Sequence, residues 1–238
     1  RRGETTVLSP EASLWPAHRG LCVSGHEQLV LSVLGAAQVD RGCRQRLAAF
    51  SANSDGDPTL ETIAMLVYGD DRRTALVEFG PQSVMRRLIL IERSDAGSPD
   101  MHESRWTWAL SRRVLAFLHG DTSIDPALAG IAHIADDVKP IDHLAANEQV
   151  VASVRDAMKG GKVTVCLSGA PGLGRRTLLA AAAREAGIDV IEVEARKLAK
   201  EPAALRKQLK MIARECKLLA RVPLVANVDA VGEHAELI

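Results

Sequence analysis

The sequence predicts two domains of different class, a mostly helical α+β domain followed by an α/β domain with a parallel sheet. The length of 238 residues exceeds the usual size of one domain. The first half has helical periodicity and ends in two apolar segments of strand type, whereas the second half alternates between strand and helix patterns. Such alternation is typical of a parallel sheet with right-handed crossovers. We place the domains at 1–120 and 143–238, with a linker at 121–142, where Asp125-Pro126 and Lys139-Pro140 interrupt any period.

The first half contains the helices and the hairpin of a winged helix-turn-helix. Residues 1–20 have no clear period and are predicted to be a lead-in segment. Ser24 and Glu27 have the spacing of a capping box and open the first helix. Segments 88–92 and 105–110 have strand patterns and enclose a polar loop, which predicts a hairpin. Because helices precede this hairpin, we expect a winged-helix-like domain; the further helices are predicted over 40–51, 59–68, 72–79, 82–87 and 111–120.

The second half contains a glycine loop between a strand and a helix. After a helix at 143–158, strands are predicted at 163–167, 189–193 and 223–228, and helices at 177–186 and 202–220. The loop meets the glycine positions of the P-loop pattern G-x-x-x-x-G-K-S/T, and its strand–loop–helix setting is the one that a P-loop requires. Glycines let backbone N–H groups turn toward an anion, and the following helix N-terminus adds partial positive charge. The predicted nucleotide-binding residues are Gly169, Pro171, Gly172, Leu173, Gly174, Arg175, Arg176 and Thr177.

The loop departs from the pattern after its glycines. Arg175 stands where the lysine is expected, and it can still pair with phosphate oxygens. Arg176 stands where a hydroxyl should ligate Mg²⁺, and Thr177 comes one place late. We therefore expect phosphate binding to persist and metal-assisted transfer to be lost. A plain glycine turn in an α/β fold is the alternative interpretation.

Together with a later apolar strand, the loop resembles the AAA+ family of ATPases. In that family the Walker B strand is commonly followed by Asp-Glu and then by a sequence such as I-D-A-L. If residues 228–231 match the latter, Ala226 replaces the magnesium-binding Asp, Asn227 replaces the catalytic Glu, and Asp229 is a later structural acid. A shifted alignment that makes Asp229 the Walker B Asp leaves Ala230 in place of the Glu. Both alignments lack the general base, so we assign no catalytic residue and no metal ligand.

The whole chain is similar to the N-terminal part of large bacterial AAA+ proteins, in which a winged-helix-type region precedes two AAA+ modules and the first module is often degenerate. This resemblance implies a module that binds ATP or ADP weakly, makes doubtful use of Mg²⁺ and supports assembly or remodelling. It also implies a homo-oligomer of AAA+ modules and a protein partner for the winged-helix domain. The chain begins without Met and ends just past a strand, so we expect a truncated piece of a longer protein, with hydrolysis in a downstream module. The segments that carry the resemblance are 24–29, 57–60, 112–120, 169–179 and 214–219.

A DNA-binding regulator with a nucleotide-sensing P-loop domain is the alternative function. Its phosphate contacts would come from the helix at 82–87 and the hairpin. Against it, thirty basic residues are balanced by thirty acidic ones, and acidic residues surround these arginines in the sequence. We therefore favour protein contact over DNA contact. The arginines concerned are Arg86, Arg87, Arg93 and Arg105.

Other functional classes have little support in the sequence. The four cysteines are far apart, which indicates reduced thiols and a cytoplasmic protein. No apolar run approaches the roughly 20 residues that span a bilayer, so we expect no membrane partner. One group of metal-ligand residue types lies in the predicted linker and is expected to be solvated; it comprises His133, Asp136, Asp137, Asp142 and His143.

Overall fold

A computed structural model describes residues 21, 23–51, 57–94, 102–159, 164–170 and 172–237. The chain forms two compact units, with their boundary between Thr122 and Ser123. Within the described residues, no helix combines the length and the apolar composition needed to cross a bilayer. The predicted lead-in segment at 1–20 lies outside the described residues.

The elements of the first unit are helices α1 (Gly25–Val39), α2 (Arg41–Phe50), α3 (Leu60–Ile63, continued by a π-helical turn, Ala64–Tyr68), α4 (Arg72–Glu78), α5 (Val84–Arg87) and α6 (Arg112–Leu118), and strands β1 (Ile91–Arg93) and β2 (Trp108–Leu110). Those of the second unit are helices α7 (Glu148–Lys159), α8 (Arg175–Glu185) and α9 (Pro202–Leu218), and strands β3 (Ala132–Ile134), β4 (Val190–Glu194) and β5 (Val222–Ala226). Short 3₁₀ turns occur at Glu103–Arg105, Pro126–Leu128, Ile141–His143 and Ala195–Lys197. A longer 3₁₀ segment, Val228–Leu237, is interrupted by a kink at Gly232.

The capping box at the start of α1 is confirmed. The Ser24 side chain accepts a hydrogen bond from the Glu27 backbone N–H, and the Glu27 carboxylate accepts one from the Ser24 backbone N–H. These two bonds satisfy donors that a helix start otherwise leaves without partners. The apolar face of α1 then enters the core of the unit, where Leu31 and Leu34 are fully buried.

The predicted hairpin is present in shortened form. Strands β1 and β2 pair antiparallel, with Ile91 opposite Leu110 and Arg93 opposite Trp108. A third extended segment lies beside β2, because Thr59 forms an isolated bridge with Thr107. Trp108 anchors the hairpin in the core: it is 2% exposed, and its ring packs against Phe79.

The sheet of the second unit is mixed, whereas the sequence predicted a parallel one. Strands β4 and β5 are parallel, as expected, with Glu192 opposite Leu224 and Glu194 opposite Ala226. Strand β3 runs antiparallel to β4, and the spatial order is β3-β4-β5. The parallel prediction fails at this edge because it rested only on the alternating part of the chain.

Most of the segment predicted as a linker, 121–142, is built into the second unit, which begins at Ser123. It supplies β3, whose His133 lies opposite Glu192. It also supplies a 3₁₀ turn at Pro126–Leu128, in which Leu128 is completely buried. Its prolines therefore stop helices without preventing strand pairing or burial.

Two predicted elements of the second unit differ from the structure. Residues 164–167 form no strand ladder within the described part of the chain, although the sequence predicted a strand at 163–167. The predicted helix at 143–158 is shorter, since α7 begins at Glu148 and a 3₁₀ turn occupies Ile141–His143. Helix α8 covers one face of the sheet: Ala180 and Ala183 pack against Val190 and Leu224.

Candidate functional site

The glycine loop has the backbone conformations that its glycines allow. Gly169, Gly172 and Gly174 have φ values of 150°, 85° and 69°. L-residues with side chains rarely adopt such values, so Gly172 and Gly174 in particular hold the turn that ends at α8. Gly174 caps the helix in the left-handed conformation, and Leu173 is 68% exposed. Pro171, also predicted to bind nucleotide, lies outside the described residues.

Arg175 is the first residue of α8, where its guanidinium group is available to a bound anion. Its side chain is half-buried, and its Cδ lies 3.9 Å from the point where a Cβ on Gly169 would stand. The stem of Arg175 therefore runs beside the loop. Among the described residues, no carboxylate forms an ion pair with it. The guanidinium group is thus a cation at the loop that an anion could use. Thr177 is exposed two residues later.

Arg176 faces the sheet, because it shares a face of α8 with the alanines that pack there. Positions 176, 180 and 183 are spaced four and three residues apart, so they lie along one side of the helix. At the N-terminal end of this stripe, Arg176 Nε lies 3.3 Å from Glu192 Oε2. The same oxygen is 3.3 Å from His133 Nε2 on the neighbouring strand. Glu192 is therefore held between β3 and α8.

Asn227 directly follows β5 and contacts Glu194, the second acidic residue of β4. Its Nδ2 donates a hydrogen bond to Glu194 Oε1 over 2.8 Å. Asn227 has φ 59°, a left-handed conformation that asparagine tolerates better than most residues. The Arg196 backbone N–H donates to the same Glu194 oxygen. Burial raises the pKa of Glu194, but these two hydrogen bonds and the charges of Arg196 and Arg176 outweigh burial and lower it overall.

The Walker B candidates lie where β5 ends. Ala226 is its last residue, Asn227 follows directly, and Asp229 is exposed in the 3₁₀ segment Val228–Leu237. Ala226 carries no polar group, and the Asn227 amide is occupied by Glu194. The strand end that faces α8 thus offers an amide and a methyl group where two carboxylates would be needed. The roles of these three positions stay a prediction.

The residues present do not fit a magnesium ion. Mg²⁺ prefers oxygen ligands in an octahedron, usually one or two carboxylates and the substrate phosphates. At the position of the ligating hydroxyl stands the guanidinium of Arg176. The two acids on β4 already have partners: Glu192 has Arg176 and His133, and Glu194 has Asn227. Within the described residues, no group of three His, Cys, Asp or Glu side chains could hold a metal.

Glu192, Glu194 and His133 are site residues for which sequence reasoning proposed no such role. Side chains at alternate positions of a strand share a face, so Glu192 and Glu194 must point to the same side of β4. Two acids on one side of an otherwise apolar strand, 190–194, were a usable signal. His133 had no comparable signal, because its contact depends on the pairing of β3 with β4.

A shallow pocket of about 500 Å³ lies elsewhere in the second unit. It runs along the start of α7 and the segment 165–167, and Val150, Val154 and Cys166 are among its lining residues. Its described lining residues include no charged side chain and no residue of the glycine loop. We assign it no function.

A glycine loop that opens a helix beside parallel strands is typical of nucleotide-binding α/β modules. Residues 165–236 match the family model of the AAA proteins, described as the ATPase family associated with various cellular activities. The matched segment contains the loop, α8, β4, α9 and β5, and it supports a P-loop fold of the AAA+ type for this part of the chain. It covers less than half of the sequence and none of the first unit. No curated protein and no solved structure matches the chain significantly.

Proposed function

We propose that the second unit binds ATP or ADP at its glycine loop without hydrolysing it, and that it supports assembly of a larger AAA+ machine. The observation that carries this proposal is the contrast between the loop and the end of β5. The loop combines positive-φ glycines with Arg175, whereas Ala226 and Asn227 provide no carboxylate.

Binding is supported by the way that the loop meets α8. The first backbone N–H groups of a helix have no partner within the helix and attract anions. Gly174 ends the loop at this point, and Arg175 adds a fixed positive charge next to it. A phosphate chain would receive both kinds of donor in one place.

Absence of hydrolysis is supported by the missing general base. Attack on the γ-phosphate requires a residue that orients the water, and metal ions that neutralise the developing charge. Asn227 cannot accept a proton as a carboxylate does, and its amide is engaged by Glu194. A bound nucleotide would still stabilise the folded unit and its contacts with other AAA+ modules, because a ligand that binds only the folded state stabilises it.

Calorimetric titration of ADP tests the binding proposal. We expect Arg175→Ala to weaken binding by about tenfold, the usual order for a charge-assisted hydrogen bond. Arg206→Ala is the matched control, because Arg206 is an exposed arginine of α9 and is not part of the loop; it should leave affinity unchanged. A phosphate-release assay with ATP should show no turnover. Sustained turnover by this chain would contradict the non-hydrolysing function, and equal affinities of both variants would exclude Arg175 from the site.

For the first unit we propose a winged-helix-type domain that contacts protein. The helices that precede the β1–β2 hairpin, and the bridge from Thr59 to the hairpin, support this architecture. Large apolar side chains are exposed on α4 and on the π-helical turn, two elements that pack together. Exposed apolar groups of this kind mark interaction surfaces more often than DNA-binding ones. They are Met65, Leu66, Leu76 and Val77.

The alternative, DNA binding, finds less support in the arginines that would have to carry it. The Arg93 guanidinium stacks 4.1 Å above the Trp106 ring, and that of Arg86 lies 5.3 Å from the Trp108 ring. Both arginines are therefore occupied by intramolecular contacts, while Arg87 and Arg105 stay exposed. A mobility shift with duplex DNA at several salt concentrations separates the two functions: binding with a steep salt slope would favour DNA.

A further inference from the structure

We propose that Arg176 takes the place of Mg²⁺ as the charge partner of a bound nucleotide, so that ADP and ATP bind this chain without a metal ion. The inference rests on the proposed function, because it concerns the same loop. It is supported separately by the poor fit of Mg²⁺ to these residues. Arg176, a cation that the fold holds in place, stands where the hydroxyl that ligates the metal is expected.

Within the described residues, the guanidinium of Arg176 has one ion-pair contact, which Nε makes. Nε lies 3.3 Å from Glu192 Oε2. In the described part of the chain, the two terminal nitrogens form no ion pair or hydrogen bond, and the side chain is 53% exposed. An arginine that is anchored at Nε keeps its planar end free for bidentate contact with phosphate.

Glu192 has the geometry of a positioning residue for this cation. Its side chain is only 13% exposed, and its strand is paired on both sides. His133 Nε2 lies 3.3 Å from the same oxygen that Arg176 approaches. The carboxylate therefore holds the guanidinium beside the first turn of α8. Its negative charge, however, also opposes an incoming anion.

Magnesium would bring no advantage at this site. An ion near Arg176 would meet a like charge, and neither Ala226 nor Asn227 could supply the anionic oxygen that it needs. Free ADP should therefore bind at least as tightly as its magnesium complex. This is the reverse of a site in which the metal bridges phosphate and protein.

The test is calorimetric titration of the full chain with ADP, once with excess MgCl₂ and once with EDTA. We expect the wild type to bind at least as tightly in EDTA as in MgCl₂. Arg176→Ala should weaken binding in EDTA by about tenfold. Arg176→Lys keeps the charge but loses the Nε contact and the bidentate end, so it should restore only part of the affinity. Glu192→Gln keeps an oxygen for Arg176 Nε but removes the negative charge, so it should bind ADP more tightly than the wild type.

The possible results separate the replacement of the metal by Arg176 from the proposed nucleotide binding. Tenfold tighter binding with MgCl₂ than with EDTA would overturn the metal replacement and leave the proposed function intact. Unchanged affinity in Arg176→Ala, with circular dichroism showing a folded protein, would also overturn it. Weaker binding by Glu192→Gln would contradict the opposing effect assigned to that charge. No ADP binding in either buffer would overturn the proposed function itself.

Discussion

At the scale of single residues, Glu27 couples a helix cap to a partly buried polar cluster. It is 5% exposed and accepts a hydrogen bond from the Ser24 backbone, while the Ser24 hydroxyl donates to Glu78. Burial raises the pKa of Glu27, the bond from Ser24 opposes this, and the charge on Glu78 raises the pKa further. The Tyr68 hydroxyl donates to the other Glu78 oxygen. The folded state therefore disfavours the charged form of Glu27 relative to the neutral form.

This raised pKa predicts how stability depends on pH. Between the unfolded value of 4.5 and the raised folded value, the folded state binds more protons, so the free energy of unfolding falls as pH rises. Glu27→Gln keeps an acceptor for Ser24 but does not titrate. Its advantage over the wild type should therefore grow as pH rises from 4.5 and then level off. Urea unfolding, followed by tryptophan fluorescence across that range, measures the difference.

Two outcomes separate the charge of Glu27 from its role in the cap. Glu27→Ala removes the acceptor and should cost about 1 kcal/mol, as the loss of a helix cap usually does. That loss should persist above the pH at which the wild type and Glu27→Gln profiles level off. Parallel pH profiles of the wild type and Glu27→Gln would show that Glu27 has no raised pKa.

The candidate site could be predicted from the sequence only as far as local pattern reaches. The glycines predict the turn, because few other residues adopt the backbone conformations that it requires. The identities of Arg176 and Asn227 already showed that the hydroxyl and the acid were missing. Their partners, Glu192 and Glu194, depend on the register of β4 and on the face of α8 that packs there. These contacts join residues far apart in sequence, and local composition does not encode them.

At the scale of elements, a buried ion-pair network fastens α9 to the segment that leads into β3. Arg214 is 2% exposed, pairs with Asp125 beside the 3₁₀ turn and lies 3.2 Å from Glu215. Glu215 is completely buried. A buried charge is costly when its partner is removed, because the remaining charge stays in a medium that solvates it poorly.

Arg214→Met is therefore expected to lower the free energy of unfolding of the second unit by about 3–5 kcal/mol. The control Arg206→Met changes the same side chain on the exposed face of α9 and should stay within about 0.5 kcal/mol of the wild type. Thermal unfolding followed by far-ultraviolet circular dichroism measures both. A loss below about 1 kcal/mol in Arg214→Met would mean that Asp125 and Glu215 find other compensation.

The elements differ in how far they could be predicted. Strands β4 and β5 are five residues long, mostly apolar and bounded by helical segments, so their patterns sufficed. Strand β3 has three residues within a segment that contains Pro126 and Pro140, and only its pairing with β4 makes it a strand. The reverse holds at 164–167, where a strand was predicted but these residues have no neighbour in the described sheet. A segment forms a strand only when a neighbouring strand pairs with it, and a local sequence pattern does not show whether that neighbour exists.

At the scale of the whole molecule, the aromatic residues allow the two units to be observed separately. All three tryptophans, the single tyrosine and all three phenylalanines precede residue 123. Tryptophan fluorescence therefore reports on the first unit alone, whereas far-ultraviolet circular dichroism reports on helices of both. The two signals provide a test of the two-domain organisation and of the proposed ligand site in one experiment.

We expect ADP to raise the midpoint of thermal unfolding of the second unit and to leave that of the first unchanged. At a concentration of one hundred times Kd, a ligand that binds only the folded state contributes about 2.7 kcal/mol. A transition in circular dichroism should therefore move to higher temperature, while the fluorescence transition stays in place. Arg175→Ala should reduce the shift at the same ADP concentration, and Arg214→Met should lower the same transition without ligand. If both signals moved together with ADP, the units would unfold as one, and the proposed division at residues 122–123 would be wrong as a thermodynamic boundary.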